Sequence, residues 1–196
     1  MKTSTLGFLM IAAVVLCASV AAVSGAYRLD AQQVLNLVAG TDGVPMQDKI
    51  VFWQIRLPRI LAALLLGAAL AGAGTTYQGM FRNPLVSPDI LGVAAGAGLG
   101  ACLAILLGLP ILFIQLYAFM GGLFVVAGVW LITRRVKRHD PVLTLVLVGI
   151  ALGTVCSAGI SLIKTLADPY TQLPSITFWL LGGLSTITLH DLWFSA

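Results

Sequence analysis

The sequence predicts an all-α, polytopic transmembrane helical bundle with about five complete crossings and a sixth just starting. Of its 196 residues, 59% are hydrophobic and 9% are charged, whereas a soluble domain is about 45–50% apolar and about 25% charged. The mean hydropathy is +1.02. At roughly 20 apolar residues per crossing, the chain has room for about five or six helices and for little outside the membrane.

The first crossing is predicted at residues 6–26, an apolar run that begins behind Lys2. A secretory signal peptide is the alternative, but the apolar core of a signal peptide is about 7–15 residues long and this run is longer. Val15 and Leu16 stand before Cys17, where a lipoprotein cleavage site needs a small residue. We therefore interpret the run as a retained transmembrane helix.

The longest polar stretch follows at residues 27–56. Within it, Ala31–Ala39 is predicted to form a short amphipathic helix that ends at Gly40. The second crossing is predicted at 57–80, with Pro58 in its first turn, where a missing N–H leaves no helical hydrogen bond unmade.

Three further crossings are predicted in the second half of the chain. The third covers 89–108, with Asp89 as a candidate N-cap. The fourth covers 111–133 and the fifth covers 141–165, with the charged turn 134–140 between them. All the crossings form one transmembrane domain.

That domain, 1–196, is predicted to be incomplete. An apolar segment of half length at 176–181 follows the fifth crossing. A sixth crossing would start near His190, and the sequence ends at Ala196.

Basic residues crowd into the turn between the fourth and fifth crossings, and they are Arg134, Arg135, Lys137 and Arg138. Loops rich in Lys and Arg stay in the cytoplasm. Counting back through the crossings, the N-terminus is predicted to be cytoplasmic as well. A lipid or nucleic-acid patch is the alternative, but a net charge of +4 without a long basic run does not indicate a nucleic-acid partner.

Small residues recur at spacings that place them on one face of a helix. In lipid, helices associate through the close backbone approach that small residues permit. The residues predicted to pack helices in this way are Gly67, Gly92, Gly96, Gly100, Gly149 and Gly153. The alternative is that some of these faces line a path through the membrane.

The sequence contains no catalytic constellation, P-loop, dinucleotide-binding fingerprint or zinc-ligand spacing. Its three cysteines lie in apolar stretches and are interpreted as buried, inert thiols. We therefore predict no enzymatic activity, no cofactor and no metal site. The crossings also contain almost none of the ionisable groups that ion-coupled carriers usually need near the membrane midplane, so energy for any transport is expected from another subunit.

Two segments carry more specific information. Arg56 and Arg59 are three residues apart at the start of the second crossing, a spacing that places both guanidinium groups on one helix face. There they either anchor the helix at the interface or receive carboxylates bidentately. The turn 81–89 contains two prolines and Asn83 and is predicted to be a rigid corner.

Together these segments resemble the membrane permeases of iron–siderophore and cobalamin ABC importers. The matching residues, in the same order and spacing, are 56–59, 67–74, 78–79, 83–85, Pro88, 90–92, 96–98, 148–153 and 178–184. The resemblance extends from Gly25 onward.

The resemblance implies a homodimeric or heterodimeric permease, embedded in the lipid of a bacterial or archaeal cytoplasmic membrane. It also implies an extracytoplasmic substrate-binding protein and two cytoplasmic ATPase subunits as partners. By the same resemblance, Arg56 and Arg59 receive carboxylates of the binding protein. A cytoplasmic gate is implied at Asn83, Leu85, Val142 and Leu143.

The predicted function is that of the N-terminal part of a permease subunit in an ATP-driven importer of a ferric siderophore or similar metal chelate. Val142 and Leu143 replace small hydroxyl residues that some relatives carry, which leaves the chemistry of the gate open. Cobalamin, haem or molybdate stays open as the substrate, because a large pathway between subunits has no selectivity code that the sequence reveals. A truncated, non-transporting bundle that only assembles with a full-length permease is the alternative from another class.

Overall fold

The computed structural model of the chain describes residues 3–41, 43–82, 87–136, 141–185 and 187–189. In these ranges the regular elements are all helices. They are α1 (Thr3–Val23), α2 (Ala31–Ala39), α3 (Met46–Ile50), a π-helix (Val51–Arg56), α4 (Leu57–Phe81), a 3₁₀ helix (Pro88–Leu91), α5 (Val93–Leu106), α6 (Ile111–Arg135), α7 (Pro141–Leu166) and α8 (Gln172–Leu181). The all-α prediction is confirmed for these residues.

The chain divides into two compact units, Met1–Ala69 with Gly183–Ala196, and Leu70–Gly182. The described residues of the first unit include α1, α2, α3 and the π-helix. Their apolar core consists of Leu29, Leu37 and Phe52.

The predicted amphipathic helix is present as α2. It begins after Asp30, whose carboxylate accepts a hydrogen bond from the Ala31 N–H at 2.8 Å. The Gln33 side chain in turn accepts from the Asp30 N–H at 2.7 Å, which completes a capping box. The helix ends at Gly40, whose φ of +68° suits glycine.

Helical structure begins earlier than predicted before the second crossing. The polar stretch was expected to run to Arg56, but α3, the π-helix and α4 form one helical run from Met46 to Phe81. The Leu57 N–H bonds to the Phe52 carbonyl, five residues back. Pro58 has no N–H to donate, so α-helical bonding cannot run unbroken across this join.

The second unit is built around α5, α6 and α7. α5 and α6 are consecutive helices that pack along each other, and α7 packs on both. Two apolar clusters fill the spaces between the helices. One consists of Cys102, Ile105, Ile163, Ala167 and Ile176, and the other of Leu91, Val125, Val129 and Cys156.

The predicted third crossing is interrupted near its start. Asp89 lies inside the 3₁₀ helix and does not cap α5, so the N-cap prediction is wrong. Gly92, with φ +71°, separates the 3₁₀ helix from α5. Only glycine adopts this conformation without steric cost, and α5 therefore has 14 residues.

A polar contact joins α8 to the end of α5. The side-chain amide of Gln172 donates to the Leu106 carbonyl at 2.9 Å. The last carbonyls of a helix have no partner within the helix, so this bond satisfies one of them. The predicted start of a sixth crossing, near His190, lies outside the described residues.

Among the described residues, four helical segments are long and apolar enough to cross a membrane: Ser4–Val23, Met46–Phe81, Ile111–Arg135 and Val142–Leu166. They lie where the first, second, fourth and fifth crossings are predicted. α5 is apolar but shorter. The chain thus has the helices of a membrane protein with several spans.

Candidate functional site

The two arginines at the start of α4 have different surroundings. Arg56 is buried, with 7% of its surface exposed. Its Nη1 donates to the Ala22 carbonyl and its Nη2 to the Tyr27 carbonyl. Arg59 is exposed and donates from Nη2 to the Ser185 carbonyl at 2.6 Å.

The structure does not place these guanidinium groups on one exposed helix face. That expectation assumes 3.6 residues per turn from Arg56 to Arg59. Arg56 instead ends a π-helix, in which hydrogen bonds span five residues, and Arg59 lies in the first turn of an α-helix. The change of helix type turns Arg56 inward and leaves Arg59 at the surface.

A second polar contact involves the side chain of Tyr27, the residue whose backbone carbonyl accepts from Arg56. The Tyr27 hydroxyl donates to Oδ1 of Asp48 at 2.7 Å. This hydrogen bond, followed by burial and the charge of Asp48, raises the pKa of Tyr27, because the bond holds the hydroxyl proton. Asp48 is 1% exposed, and its Oδ2 has no hydrogen-bond partner among the described residues.

Gly25 leaves room for the Arg56 side chain. A Cβ at Gly25 would lie 2.9 Å from Nη2 of Arg56 and 3.4 Å from its Cζ. Any larger residue would therefore press on the guanidinium group. No sequence motif predicts the cluster of Gly25, Tyr27, Asp48 and Arg56. The one available signal is an aspartate in the polar stretch 27–56 between crossings.

In the second unit, glycines bring α5 and α6 into backbone contact. A Cβ at Gly96 would lie 2.7 Å from the Gly121 carbonyl oxygen, and one at Gly100 would overlap the Tyr117 carbonyl oxygen. These distances leave no room for a side chain at either position. By contrast, a Cβ at Gly67 would meet no described atom within 4 Å, so a packing role for Gly67 stays a prediction.

The other predicted packing glycines lie between the 3₁₀ helix and α7. A Cβ at Gly92 would lie 2.9 Å from the Gly149 carbonyl oxygen and 3.0 Å from the Gly153 Cα. A groove of about 430 Å³ opens beside this contact. Its lining consists of Asp89, Ile90, Gly92, Ala95, Gly149, Ile150, Gly153, Thr154 and Ser157.

The hydroxyl groups in this groove already donate to their own helix. Thr154 Oγ1 donates to the Ile150 carbonyl at 2.8 Å, and Ser157 Oγ donates to the Gly153 carbonyl at 2.9 Å. Their oxygens can still accept hydrogen bonds. Together with the Asp89 carboxylate, they give the groove hydrogen-bond acceptors and a negative charge.

The predicted gate residues are only partly described. Asn83 and Leu85 lie outside the described residues. Val142 and Leu143 lie in the first turn of α7, where Val142 is half-buried and Leu143 is 54% exposed. No cluster of three or more His, Cys, Asp or Glu side chains that could hold a metal ion occurs in the described part of the chain.

Comparison with known proteins places this architecture in a family. Residues 8–196 match the model of the FecCD transport family. The molybdate import system permease protein MolB of Haemophilus influenzae is 40% identical over 150 residues, which cover 76% of this chain and 44% of that protein. The vitamin B12 import system permease protein BtuC of Klebsiella pneumoniae is 36% identical over 168 residues, which cover 81% of this chain and 50% of that protein.

The fold is also similar to that of a solved protein. An inward-facing structure assigned to the metal-chelate type of ABC transporter superimposes with a TM-score of 0.80 and 34% sequence identity. The match covers 97% of this chain and 57% of that one. The chain spans about half the length of the curated relatives it matches. The resemblance to importer permeases is confirmed, and the chain belongs to the FecCD transport family, whose members are permease subunits of ABC importers.

Proposed function

We propose that this chain is the N-terminal part of a permease subunit in an ATP-driven importer of a ferric siderophore or similar metal chelate. The observation that carries the proposal is the superposition on a transporter assigned to the metal-chelate type, which includes 97% of the chain. The importer would include a second permease subunit, cytoplasmic ATPase subunits and an extracytoplasmic binding protein. The chain itself performs no covalent chemistry in this proposal.

The chemistry of the groove beside α7 supports a chelate over an oxyanion. Asp89 supplies a negative charge, and the hydroxyls of Thr154 and Ser157 offer oxygens that accept hydrogen bonds. A molybdate-like anion would be repelled by the carboxylate and would find few donors there. A chelate that presents amide or hydroxyl donors suits such a lining. Cobalamin and molybdate stay as the alternative substrates, because a vitamin B12 permease is 36% identical and a molybdate permease is 40% identical.

We also propose that the interrupted third segment completes a fifth crossing. α5 has 14 residues, or about 21 Å at 1.5 Å per residue. The four residues of the 3₁₀ helix add about 8 Å at 2.0 Å per residue. Together they approach the thickness of roughly 30 Å of a bilayer's hydrocarbon core.

The orientation that we propose puts the N-terminus and the end of α6 in the cytoplasm. Arg134 lies over the ring of Trp130, with Cζ 4.1 Å from the ring centroid. A tryptophan stacked with a basic residue suits the membrane interface. Arg134 and Arg135 fall in the last turn of α6, which supports a cytoplasmic position for that end.

Alternating access between an outer and an inner gate is the proposed mechanism. The inner gate is assigned to Asn83, Leu85, Val142 and Leu143. Docking of carboxylates of the binding protein is assigned to Arg56 and Arg59, of which Arg59 is exposed. The exposed positive charge of Arg59 would also raise the rate of association with an acidic partner.

The test is transport by the native assembly. The chain, tagged at its N-terminus in its own cells, would be purified with the subunits that stay bound and placed in lipid vesicles with the binding protein. We expect ATP-dependent uptake of a radiolabelled ferric siderophore and none of molybdate. Uptake of cobalamin or molybdate alone would overturn the chelate assignment, and a preparation that never retains an ATPase subunit would indicate the non-transporting bundle.

A further inference from the structure

We propose that the end of α6 binds an anionic phospholipid. The guanidinium groups of Arg134 and Arg135 hold its phosphate, and its acyl chains lie along an exposed apolar face of α6 that leads to Arg134. This inference concerns the lipid around the chain, so it goes beyond the proposed transport function and does not depend on which substrate is carried.

The first step concerns the exposed face of α6. Leu123, Ala127 and Trp130 are exposed and stand at positions i, i+4 and i+7, and Arg134 follows at i+11. At 3.6 residues per turn these positions share one side of the helix. The helix rises about 16 Å from Leu123 to Arg134 at 1.5 Å per residue, about half of the roughly 30 Å hydrocarbon core. The face therefore has the length of one leaflet.

The second step concerns the position of Arg134 at the end of this face. Its Cζ lies 4.1 Å from the centroid of the Trp130 ring, and Trp130 is 51% exposed. Cation–π attraction acts between the charge and the ring, so N–H donors of the guanidinium group stay available to other acceptors. In the described part of the chain, neither the Arg134 nor the Arg135 side chain has a hydrogen bond or an ion pair.

The third step concerns the charge that selects the lipid. Arg134 and Arg135 fall in the last turn of α6, and Lys137 and Arg138 follow within three residues in the sequence. Asp140 is the one carboxylate of this stretch. Guanidinium groups bind phosphate through two parallel hydrogen bonds. Because the cations outnumber the carboxylate, a lipid with a net negative charge is favoured over a zwitterionic one.

The opposite end of α6 has a different character. The helix begins at Ile111 after Pro110, and Arg134 and Arg135 are its only charged residues. A preference for anionic lipid is therefore expected at one end of α6. Anchoring at the interface would by itself place an aromatic and a basic residue there, but it predicts no preference between headgroups, and this difference can be measured.

The test uses Trp130 as the reporter of the lipid that touches it. The full chain, with its other three tryptophans changed to phenylalanine, is placed in phosphatidylcholine vesicles; these tryptophans are Trp53, Trp179 and Trp193. Phosphatidylglycerol or phosphatidylcholine with brominated acyl chains, which quench tryptophan fluorescence on contact, is added at rising mole fraction. We expect the relative affinity for phosphatidylglycerol to be about tenfold higher, because each cation near the headgroups adds several-fold.

Salt and substitutions at the arginines test the cause of that preference. High salt is expected to reduce it, since the exposed charges are screened. Arg134→Gln combined with Arg135→Gln should reduce it several-fold, and Arg134→Lys should have a smaller effect, because lysine keeps the charge but not the planar guanidinium group. Arg28→Gln, which removes an exposed charge from the other unit, is the matched control and should leave the preference unchanged. The salt series needs only the parent chain, so it decides the matter where the double variant fails to insert.

Three results would overturn the inference. Equal quenching by both brominated lipids would show that the Trp130 and Arg134 pair only anchors the helix. No quenching by either lipid would show that protein covers this face. Displacement of brominated phosphatidylglycerol by millimolar inorganic phosphate would show that the arginines take a free anion and that the apolar face plays no part in binding.

Discussion

At the scale of single residues, Asp168 organises the turn between α7 and α8. Its Oδ1 accepts from the Thr171 hydroxyl at 2.9 Å, from the Thr171 N–H at 2.8 Å and from the Tyr170 N–H at 2.9 Å. These bonds, led by that from the Thr171 hydroxyl, lower the pKa of Asp168 below its ordinary value of 3.8. They do so because each one stabilises the charged carboxylate.

This arrangement predicts a loss of stability in acid. Since the pKa is lower in the folded chain, the carboxylate contributes stability above pH 3.8, and the contribution is lost as the pH falls through the folded-state pKa. Asp168→Asn is expected to lower the unfolding temperature at neutral pH and to match the parent chain in strong acid. Loss of helical circular dichroism on heating, recorded at each pH, measures the unfolding.

Thr171→Val is the control for this prediction. It removes the largest of the causes that lower the pKa, so the total loss of stability in acid should be smaller than in the parent chain and should be complete at a higher pH. A difference between Asp168→Asn and the parent that is equally large in strong acid would show that the carboxylate charge is not the cause.

The sequence identified the arginine pair but not the surroundings of its members. Residue type and spacing pointed to Arg56 and Arg59 as anion-binding groups. Burial of Arg56 depends on contacts with Ala22 and Tyr27, which lie 34 and 29 residues away along the chain. Spacing within one helix carries no information about such contacts, and so Tyr27 and Asp48 were missed.

At the scale of elements, Gly92 is subject to two constraints, one on its backbone conformation and one on the space around it. Its φ is +71°, and a Cβ there would lie 2.9 Å from the Gly149 carbonyl oxygen in α7. Gly108, which follows α5, has a φ of +66° but would place a Cβ in open space among the described residues. Both glycines therefore have a backbone conformation that is strained for other residues, but only Gly92 is also closely packed.

Alanine substitutions at these two positions are expected to differ in cost. Gly108→Ala should destabilise the chain by about 1–2 kcal/mol, the cost of a side chain in the left-handed conformation. Gly92→Ala should cost about 1–3 kcal/mol more, because it also forces the 3₁₀ helix away from α7. Reversible unfolding in mixed detergent micelles measures both. Equal costs would show that the contact between Gly92 and α7 does not constrain the fold.

Most helices could be predicted from apolar length and turn residues. α2 matches its predicted bounds, and α6 and α7 end within two residues of theirs. α5 was predicted too long, because composition does not reveal that Gly92 adopts a positive φ. The π-helix was not predicted. A short change from four-residue to five-residue hydrogen bonding produces no distinct hydrophobic pattern in the sequence.

At the scale of the whole molecule, the family assignment and the number of candidate spans both indicate a membrane protein. Its orientation in the membrane is our proposal. The basic turn after α6 and the Asp168 turn after α7 lie at opposite ends of α7, because each flanks one end of that helix. A helix of 26 residues is about 39 Å long at 1.5 Å per residue and spans the bilayer, so these turns are expected on opposite sides of the membrane.

Labelling of single cysteines tests that orientation. Tyr170, 89% exposed, replaced by cysteine in a chain whose own cysteines are changed to alanine, should react with a membrane-impermeant maleimide from outside intact cells. Val136, 42% exposed, replaced in the same way, should react only after the cells are permeabilised. The reverse pattern would place the N-terminus outside the cytoplasm.

The backbone contact between α5 and α6 has a mechanical consequence. The backbone of Gly96 contacts that of Gly121, with the Val125 side chain beside it, and the backbone of Gly100 contacts that of Tyr117. A screw motion of one residue, with a rise of about 1.5 Å and a rotation of about 100°, would drive Leu99 or Ala101 against a carbonyl that only glycine can approach so closely. The two helices are therefore locked in register, and in the gate opening that we propose they would move as one stiff hairpin. Any hinge that moves this hairpin has to lie in the segments that flank it.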